Sequence, residues 1–269
     1  MAINGRLPNM EPLVKVKKHV PSGTIILNRP AKRNAMTRSM MAELRTAFED
    51  FHMERRVRAV ILTGAGTAFC SGTDLAEIQE ASRQEDAQAQ WHQDAVLYKE
   101  LIELMLRFPK PIIAAVNGPA VALGAGLVLA SDIVVGCPAA SFGLPEPRRG
   151  LVATLISPLL VFRIGAGYAA NLLLTAELID ARRAHEIHLY HEVIDEDKVW
   201  ARSHEIAMQC AKSAPESIQL TKQMINETIG AHLGTLLAAG AAATAAARTT
   251  EAATEGLAAF LEKREPQWP

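Results

Sequence analysis

The sequence predicts an α/β fold built on a core of parallel strands. Three observations point there. Short β-rich segments alternate with stretches of helical periodicity over residues 24–135, in the order strand, helix, strand, helix, strand, helix, strand. Those strands run into turns marked by Gly, Pro or Asn, the punctuation of strand-to-helix connections. The chain has 269 residues, about half apolar and about a fifth charged, the balance of a packed globular protein.

Taken in order, Thr24–Leu27 reads as a strand ended by Asn28-Arg29-Pro30. Residues 37–53 carry Met40, Met41, Leu44, Ala47, Phe48 and Phe51 at helical spacing, with Thr37 as N-cap. Val57–Thr63 is a strand that stops at Gly64-Ala65-Gly66, and residues 68–74 lead into a helix. Residues 79–95, rich in Gln, Asp and Glu, read as an exposed, mobile helix or loop. Residues 97–108 are helical until Pro109 and Pro111 break them. Ile112–Val116 is a buried strand, Leu127–Leu129 belongs to a helix, and Asp132–Val135 is the next strand. From Ile156 the pattern is almost wholly helical, with residues 175–184 a turn into a helix. The alanine-rich stretch 238–259 combines helix propensity with close approach, which suits a packed tail or a subunit interface.

The net charge of −1 offers no basic field for non-specific nucleic-acid binding. Cys70, Cys137 and Cys210 form neither a metal spacing nor an even disulfide framework, which favours a reducing, cytoplasmic setting and buried inert thiols. The first twenty residues hold no apolar core of signal-peptide length and read as mature protein. The apolar stretch 111–137 is interrupted by Asn117, Gly118, Pro119 and Asp132, so a buried strand and helix explain it better than a membrane span.

Two segments share one design. Cys70-Ser71-Gly72-Thr73-Asp74 opens one helix, and Val121-Ala122-Leu123-Gly124 opens another. Free N–H groups and the positive dipole end at a helix start hold anions. Two such ends converging would grip one oxygen, as for an enolate or a tetrahedral oxyanion; taken singly, both are also ordinary turns of an α/β fold. A third feature is Glu146 in Ser141-Phe142-Gly143-Leu144-Pro145-Glu146. At the edge of an apolar segment it is either a carboxylate of raised pKa suited to acid/base work or a solvated partner of Arg148 or Arg149.

Six segments together resemble the crotonase superfamily, the enoyl-CoA hydratase/isomerase family. They are Leu27–Met36 (LNRPAKRNAM), Ala68–Leu75 (AFCSGTDL), Pro111–Ala120 (PIIAAVNGPA), Ser131-Asp132-Ile133, Phe142–Val152 (FGLPEPRRGLV) and Glu255–Pro266 (EGLAAFLEKREP). The resemblance implies a crotonase-like spiral of ββα units over residues 1–200 and a helical C-terminal trimerisation region over 201–269, forming a homotrimer or a dimer of trimers. It implies an acyl-CoA thioester as ligand, with no other cofactor and no metal, nucleic-acid or membrane partner.

The resemblance also assigns residues. The oxyanion donors fall on the amides of Thr73 and, by ungapped counting from Asn117-Gly118 to Asp132, of Leu123 within Ala122-Leu123-Gly124. Coenzyme A would lie along Ala31, Lys32 and Arg33, with Gly72, Thr73, Asp74, Leu75, Ala76, Leu123 and Gly124 on the thioester side. Phe260 and Lys263 match tail positions that help to cover a neighbouring subunit's ligand. The same count puts the first of the two hydratase glutamates at Gly126 and the second at Glu146. One base suffices for a proton shuttle, and Asn117-Gly118-Pro119-Ala120-Val121 is similar to the isomerase branch. The expectation is therefore 3-enoyl-CoA to 2-enoyl-CoA isomerisation by Glu146. The alternatives are hydration with a substituted first acid, or a non-catalytic CoA-binding or RNA-associated homologue. The nucleophilic Asp of dehalogenating members falls on Thr154. Asp74, Glu77, His92 and Asp94 are reserve polar candidates beside the acyl pocket.

Overall fold

A computed structural model describes residues 11–83, 85–229 and 232–268. It opens with an antiparallel pair, β1 (Val14–His19) and β2 (Ser22–Leu27), paired from Val14↔Leu27 to His19↔Ser22. β1 has no counterpart among the expected strands. It carries Lys15, Lys17 and Lys18, whose charge hides its alternation but suits a sheet edge.

Helix α1 (Arg38–Met53) starts at Thr37, whose Oγ1 accepts the Met40 amide at 3.1 Å, and buries the six apolar residues named above. β3 (Ala59–Gly64) then pairs in parallel with β2. The polar stretch 79–95 is largely helical among its described residues. Helix α2 (Leu75–Ala81) runs into it, and α3 (Ala87–Arg107) takes it up again from Ala87. Trp91, Ala95, Tyr98 and Ile102 form one buried stripe on α3, which the surrounding Gln and Asp residues mask.

β4 (Ile112–Val116), β5 (Ala120–Val121), α4 (Leu123–Ala130), β6 (Ile133–Gly136) and β7 (Ser141–Gly143) follow. Residues beyond 156 are not all helical. α5 (Ser157–Thr175) is followed by strand β8 (Leu178–Asp180), helix α6 (Ala181–Glu186) and strand β9 (Glu192–Val193). α5 is long and apolar enough to cross a bilayer by length and composition, but Gly165 at φ 78°, ψ 160° breaks its helical path. Then come α7 (Val199–Cys210), α8 (Pro215–Gln223), a π-helical turn (Met224–Ile229), α9 (Leu233–Ala247) and α10 (Glu251–Glu262).

The main sheet has six strands in the order β1-β2-β3-β4-β6-β9, parallel from β2 onward; β5, β7 and β8 form a small second sheet. The parallel core is thus as expected, with the antiparallel edge and the small sheet as additions. α7 packs across β3 and β4. The alanine-rich α9 lies along α3 of its own chain, and Gly240 lets it approach Thr154 and Leu155, where a Cβ would fall 2.3 Å from the Thr154 carbonyl oxygen.

Candidate active site

The site grows from the loop after β3. Buried Asn34 holds that loop: its amide donates to the carbonyls of Ala65 (2.9 Å) and Ala68 (2.8 Å), while its Oδ1 accepts the Arg29 amide at 2.8 Å. Asn34 itself sits at φ 55°, a conformation Asn tolerates better than most residues. Nearby, Arg29 pairs with Asp74 at 2.9 Å, and Asp74 caps α2 by accepting the Ala76 amide at 3.0 Å. The 27–36 segment is thereby zipped to the 68–74 segment, with Met36 N–H donating to Gly72 O and Asp74 N–H to Met36 O.

The two glycine turns meet. Val121 N–H donates to Cys70 O at 2.9 Å. Gly72 lies at φ +94°, and a Cβ there would fall 2.7 Å from Ala122 Cβ and 3.5 Å from the Leu123 amide nitrogen. A Cβ on Gly124 would fall 2.2 Å from Cys70 O. Both glycines are therefore required by close approach. Ala122 adopts φ 53°, ψ −121°, a strained conformation for a residue with a Cβ, and this turns the chain into α4. Leu123 is the first residue of α4, and among the described residues neither its amide nor that of Thr73 donates a hydrogen bond. Two free amides on abutting turns, one with a helix dipole behind it, can stabilise one developing oxyanion.

Beside them lies Glu146, first residue of a 3-10 turn (Glu146–Arg149), 8% exposed. Its Oε2 is buried without a hydrogen-bond partner among the described residues. Burial pushes its carboxyl up to about 7, against the pull of the nearby Arg149 guanidinium. The position of the absent first glutamate is physically filled. A Cβ on Gly126 would fall 2.0 Å from the Tyr98 hydroxyl oxygen. That hydroxyl donates to the Leu123 carbonyl at 2.6 Å. Burial raises its pKa, and Cys70 and Glu146 add to the rise. Nothing local to residue 126 reveals Tyr98; the helical stripe on α3 was the available signal.

Two cavities share this centre. An outer groove of about 640 Å³ is lined by Lys32, Arg33, Thr73, Asp74, Leu75, Ala76 and Phe260 of the expected residues, together with Arg148, Arg149 and Arg264. An inner, largely apolar cavity of about 70 Å³ holds Thr73, Leu123, Tyr98 and Glu146. Thr73, Leu75 and Arg149 border both. Ala31 and Lys263 are exposed and line neither cavity, while Gly72 and Gly124 act through backbone spacing. Phe260 borders the groove of its own chain, with the Arg149 guanidinium 4.3 Å from its ring centroid. α10 is seated there by two glycines: a Cβ on Gly150 would fall 1.9 Å from Ala252 O, and one on Gly256 would fall 2.3 Å from the Arg149 carbonyl carbon.

Of the reserve candidates, Glu77 and Asp94 reach the inner cavity and His92 is exposed. Arg38 holds Asp94 in a two-point pair at 2.6 and 2.9 Å, and Arg248 also lines this end. Arg38 and Arg248 were not singled out from sequence, because isolated arginines carry no spacing signal. Thr154 bonds Gly240 O and Thr244 and does not line either cavity.

Comparison with known proteins agrees with this architecture. The enoyl-CoA hydratase/isomerase family profile matches residues 22–269. A relative from Thermus thermophilus is 38% identical over 257 residues, covering 95% of this chain and 100% of its own. The 1,2-epoxyphenylacetyl-CoA isomerase of Escherichia coli is 30% identical over 258 residues, covering 94% of this chain and 97% of its own. Among solved structures, an enoyl-CoA hydratase/isomerase from Xanthobacter autotrophicus Py2 superposes with a TM-score of 0.85 at 28% identity, covering 96% of this chain and 98% of that one. The chain belongs to the enoyl-CoA hydratase/isomerase family of the crotonase superfamily. It is an enzyme of that family, whose named members include both hydratases and isomerases.

Proposed function

We propose that this enzyme isomerises a 3-enoyl-CoA to the 2-enoyl-CoA, with Glu146 as the single acid/base. The observation that carries this reading is the Tyr98 hydroxyl in the space of a residue-126 side chain, which leaves one carboxylate at the centre. Glu146 takes the C2 proton, and the electron pair moves into the thioester as an enolate conjugated with the C3–C4 double bond. The oxygen rests on the Thr73 and Leu123 amides. Glu146 returns the proton to C4, so the double bond moves to C2–C3 and the base is regenerated. A carboxyl poised at about 7 suits both halves of this shuttle.

In this reading the adenine-nucleotide phosphates lie near Lys32, Arg33, Arg148 and Arg264 in the outer groove. No cofactor beyond the substrate's own coenzyme A takes part, and the setting is cytoplasmic. Assembly as a trimer, or as a dimer of trimers, would cover exposed Val161, Tyr168 and Leu174 on α5.

Hydration is the second reading. It is favoured by the names of several relatives, such as the short-chain-enoyl-CoA hydratase of Clostridium acetobutylicum, and by the Tyr98 hydroxyl, which could orient a water opposite Glu146. Separate incubations with a 3-enoyl-CoA and a 2-enoyl-CoA, followed by mass, distinguish the two. Conversion without mass gain supports isomerisation. Rapid addition of one water to the 2-enoyl-CoA would replace it with hydration.

A further inference from the structure

The lining of the inner cavity is not apolar throughout. Arg38, Glu77, Asp94, Thr244 and Arg248 border it as well. Asp94 is already held at three points: Arg38 Nε and Nη2 donate to its two oxygens, and Gln90 Nε2 donates to Oδ1 at 2.9 Å. Glu77 accepts the Arg38 amide at 3.1 Å. That leaves Arg248. Its side chain is only 9% exposed, its Nη1 stands 3.9 Å from Asp94 Oδ2, and that Nη1 is buried without a hydrogen-bond partner among the described residues.

A guanidinium so placed is under-compensated. Burial holds its pKa below the usual arginine value; Asp94 opposes this and the Arg38 charge adds to it. Glu77 and Glu80 bear on Arg38 instead. Leaving a buried donor unsatisfied is costly, and a buried cation more so. A cavity of about 70 Å³ whose lining includes the nearly buried Arg248 guanidinium has the form of an anchor for the tail of a short acyl group.

We propose that the acyl group ends in a carboxylate, which Arg248 binds through its unpartnered Nη1, so that the substrates are short ω-carboxyacyl-CoA thioesters. The inference rests on the inner cavity being the acyl site, as the isomerase reading has it. It does not depend on which reaction Glu146 performs. The carboxylate supplies the close acceptor that Asp94, 3.9 Å from Arg248 Nη1, does not. Arg248 is a specificity residue and takes no part in the proton transfer.

Binding to unreactive saturated thioesters separates this proposal from the reaction itself. Glutaryl-CoA and adipyl-CoA would be titrated calorimetrically against pentanoyl-CoA and hexanoyl-CoA on the full-length wild-type protein. Expected is binding of at least one carboxylate-ended thioester at least about tenfold tighter than its methyl-ended counterpart, the scale of a charge-assisted hydrogen bond. In Arg248→Met that ratio should fall towards unity. Equal or weaker binding of both carboxylate-ended thioesters by the wild type overturns the proposal without recourse to any variant. So does 6-hydroxyhexanoyl-CoA binding as tightly as the better carboxylate-ended thioester, which would assign Arg248 a neutral acceptor. A preserved ratio in a folded Arg248→Met protein also overturns it. Failure of 3-enoyl-CoA turnover with a tenfold binding preference intact would sink the isomerase reading and leave this one standing.

Discussion

The Tyr98 hydroxyl oxygen lies 2.0 Å from where a Cβ on Gly126 would stand. The glycine and the tyrosine form one packed unit. Gly126→Ala should destabilise the protein by about 1–3 kcal/mol, the usual range for overpacking. Tyr98→Phe should cost about 0.5–1.5 kcal/mol, the net worth of the hydrogen bond that its hydroxyl donates to the Leu123 carbonyl. The double variant should cost less than the sum, since removing the hydroxyl frees the space that the methyl needs. Urea denaturation of the four proteins tests this, and strict additivity would show that the two positions do not share the slot.

Glu146 couples the site to stability. The folded protein holds this proton up to about pH 7, whereas the unfolded carboxyl releases it near 4.5. The native state therefore binds the extra proton between those values, and stability falls as pH rises through that window. Above it, the buried carboxylate costs up to about 3 kcal/mol. Glu146→Gln should accordingly melt at a higher temperature than wild type at about pH 8, with the difference vanishing below about pH 4.5. The same variant should lose at least about 10²-fold in turnover. A Gln protein that gains no stability at alkaline pH would show that Glu146 is solvated.

Arg149 pulls the Glu146 carboxyl down. Replacing it with Met should move the acid limb of the kcat/KM profile to higher pH, because the carboxylate form loses its neighbouring cation. Arg149→Lys keeps the charge and should hold the limb close to the wild-type position. A limb that stays put in Arg149→Met would exclude Arg149 as the tuning charge.

Ala122 lies at φ 53°, ψ −121°, where a Cβ is strained and glycine is not. Ala122→Gly should therefore run against the usual sign and leave stability unchanged or raise it by about 1 kcal/mol. Gly72→Ala goes the other way: its Cβ would press on Ala122 Cβ at 2.7 Å and force the two turns apart. A fall in turnover of about 10²-fold, with the protein still folded by circular dichroism, is the expected result when one oxyanion donor is displaced.

The parallel strands and the two glycine turns could be read from local pattern because each is specified by residues adjacent in the chain. Gly72 and Gly124 advertise their own necessity. Glu146 could be located by counting, but its burial could not, since that depends on its meeting Tyr98, Leu123 and Ile156 around the inner cavity. β1 is hard to read in the sequence because its lysines serve the sheet edge rather than the core. α3 is masked by the charge and amide residues that crowd around its buried stripe. Tyr98, Arg38 and Arg248 come from separate elements and meet only in the folded cavity. No spacing along the chain encodes such a meeting.

The seating of α10 on Gly150 and Gly256 has a consequence for how the protein is made. The turn bearing Glu146 leaves the ribosome long before the helix that packs against it. A nascent chain can pair its central strands, close the Asn34 clamp and form the turn that bears Glu146 before α10 exists. The outer groove, to which α10 supplies Gly256, Phe260 and Leu261, is the last wall of the site to be built. A chain stalled before α10 would carry Glu146 beside an incomplete groove.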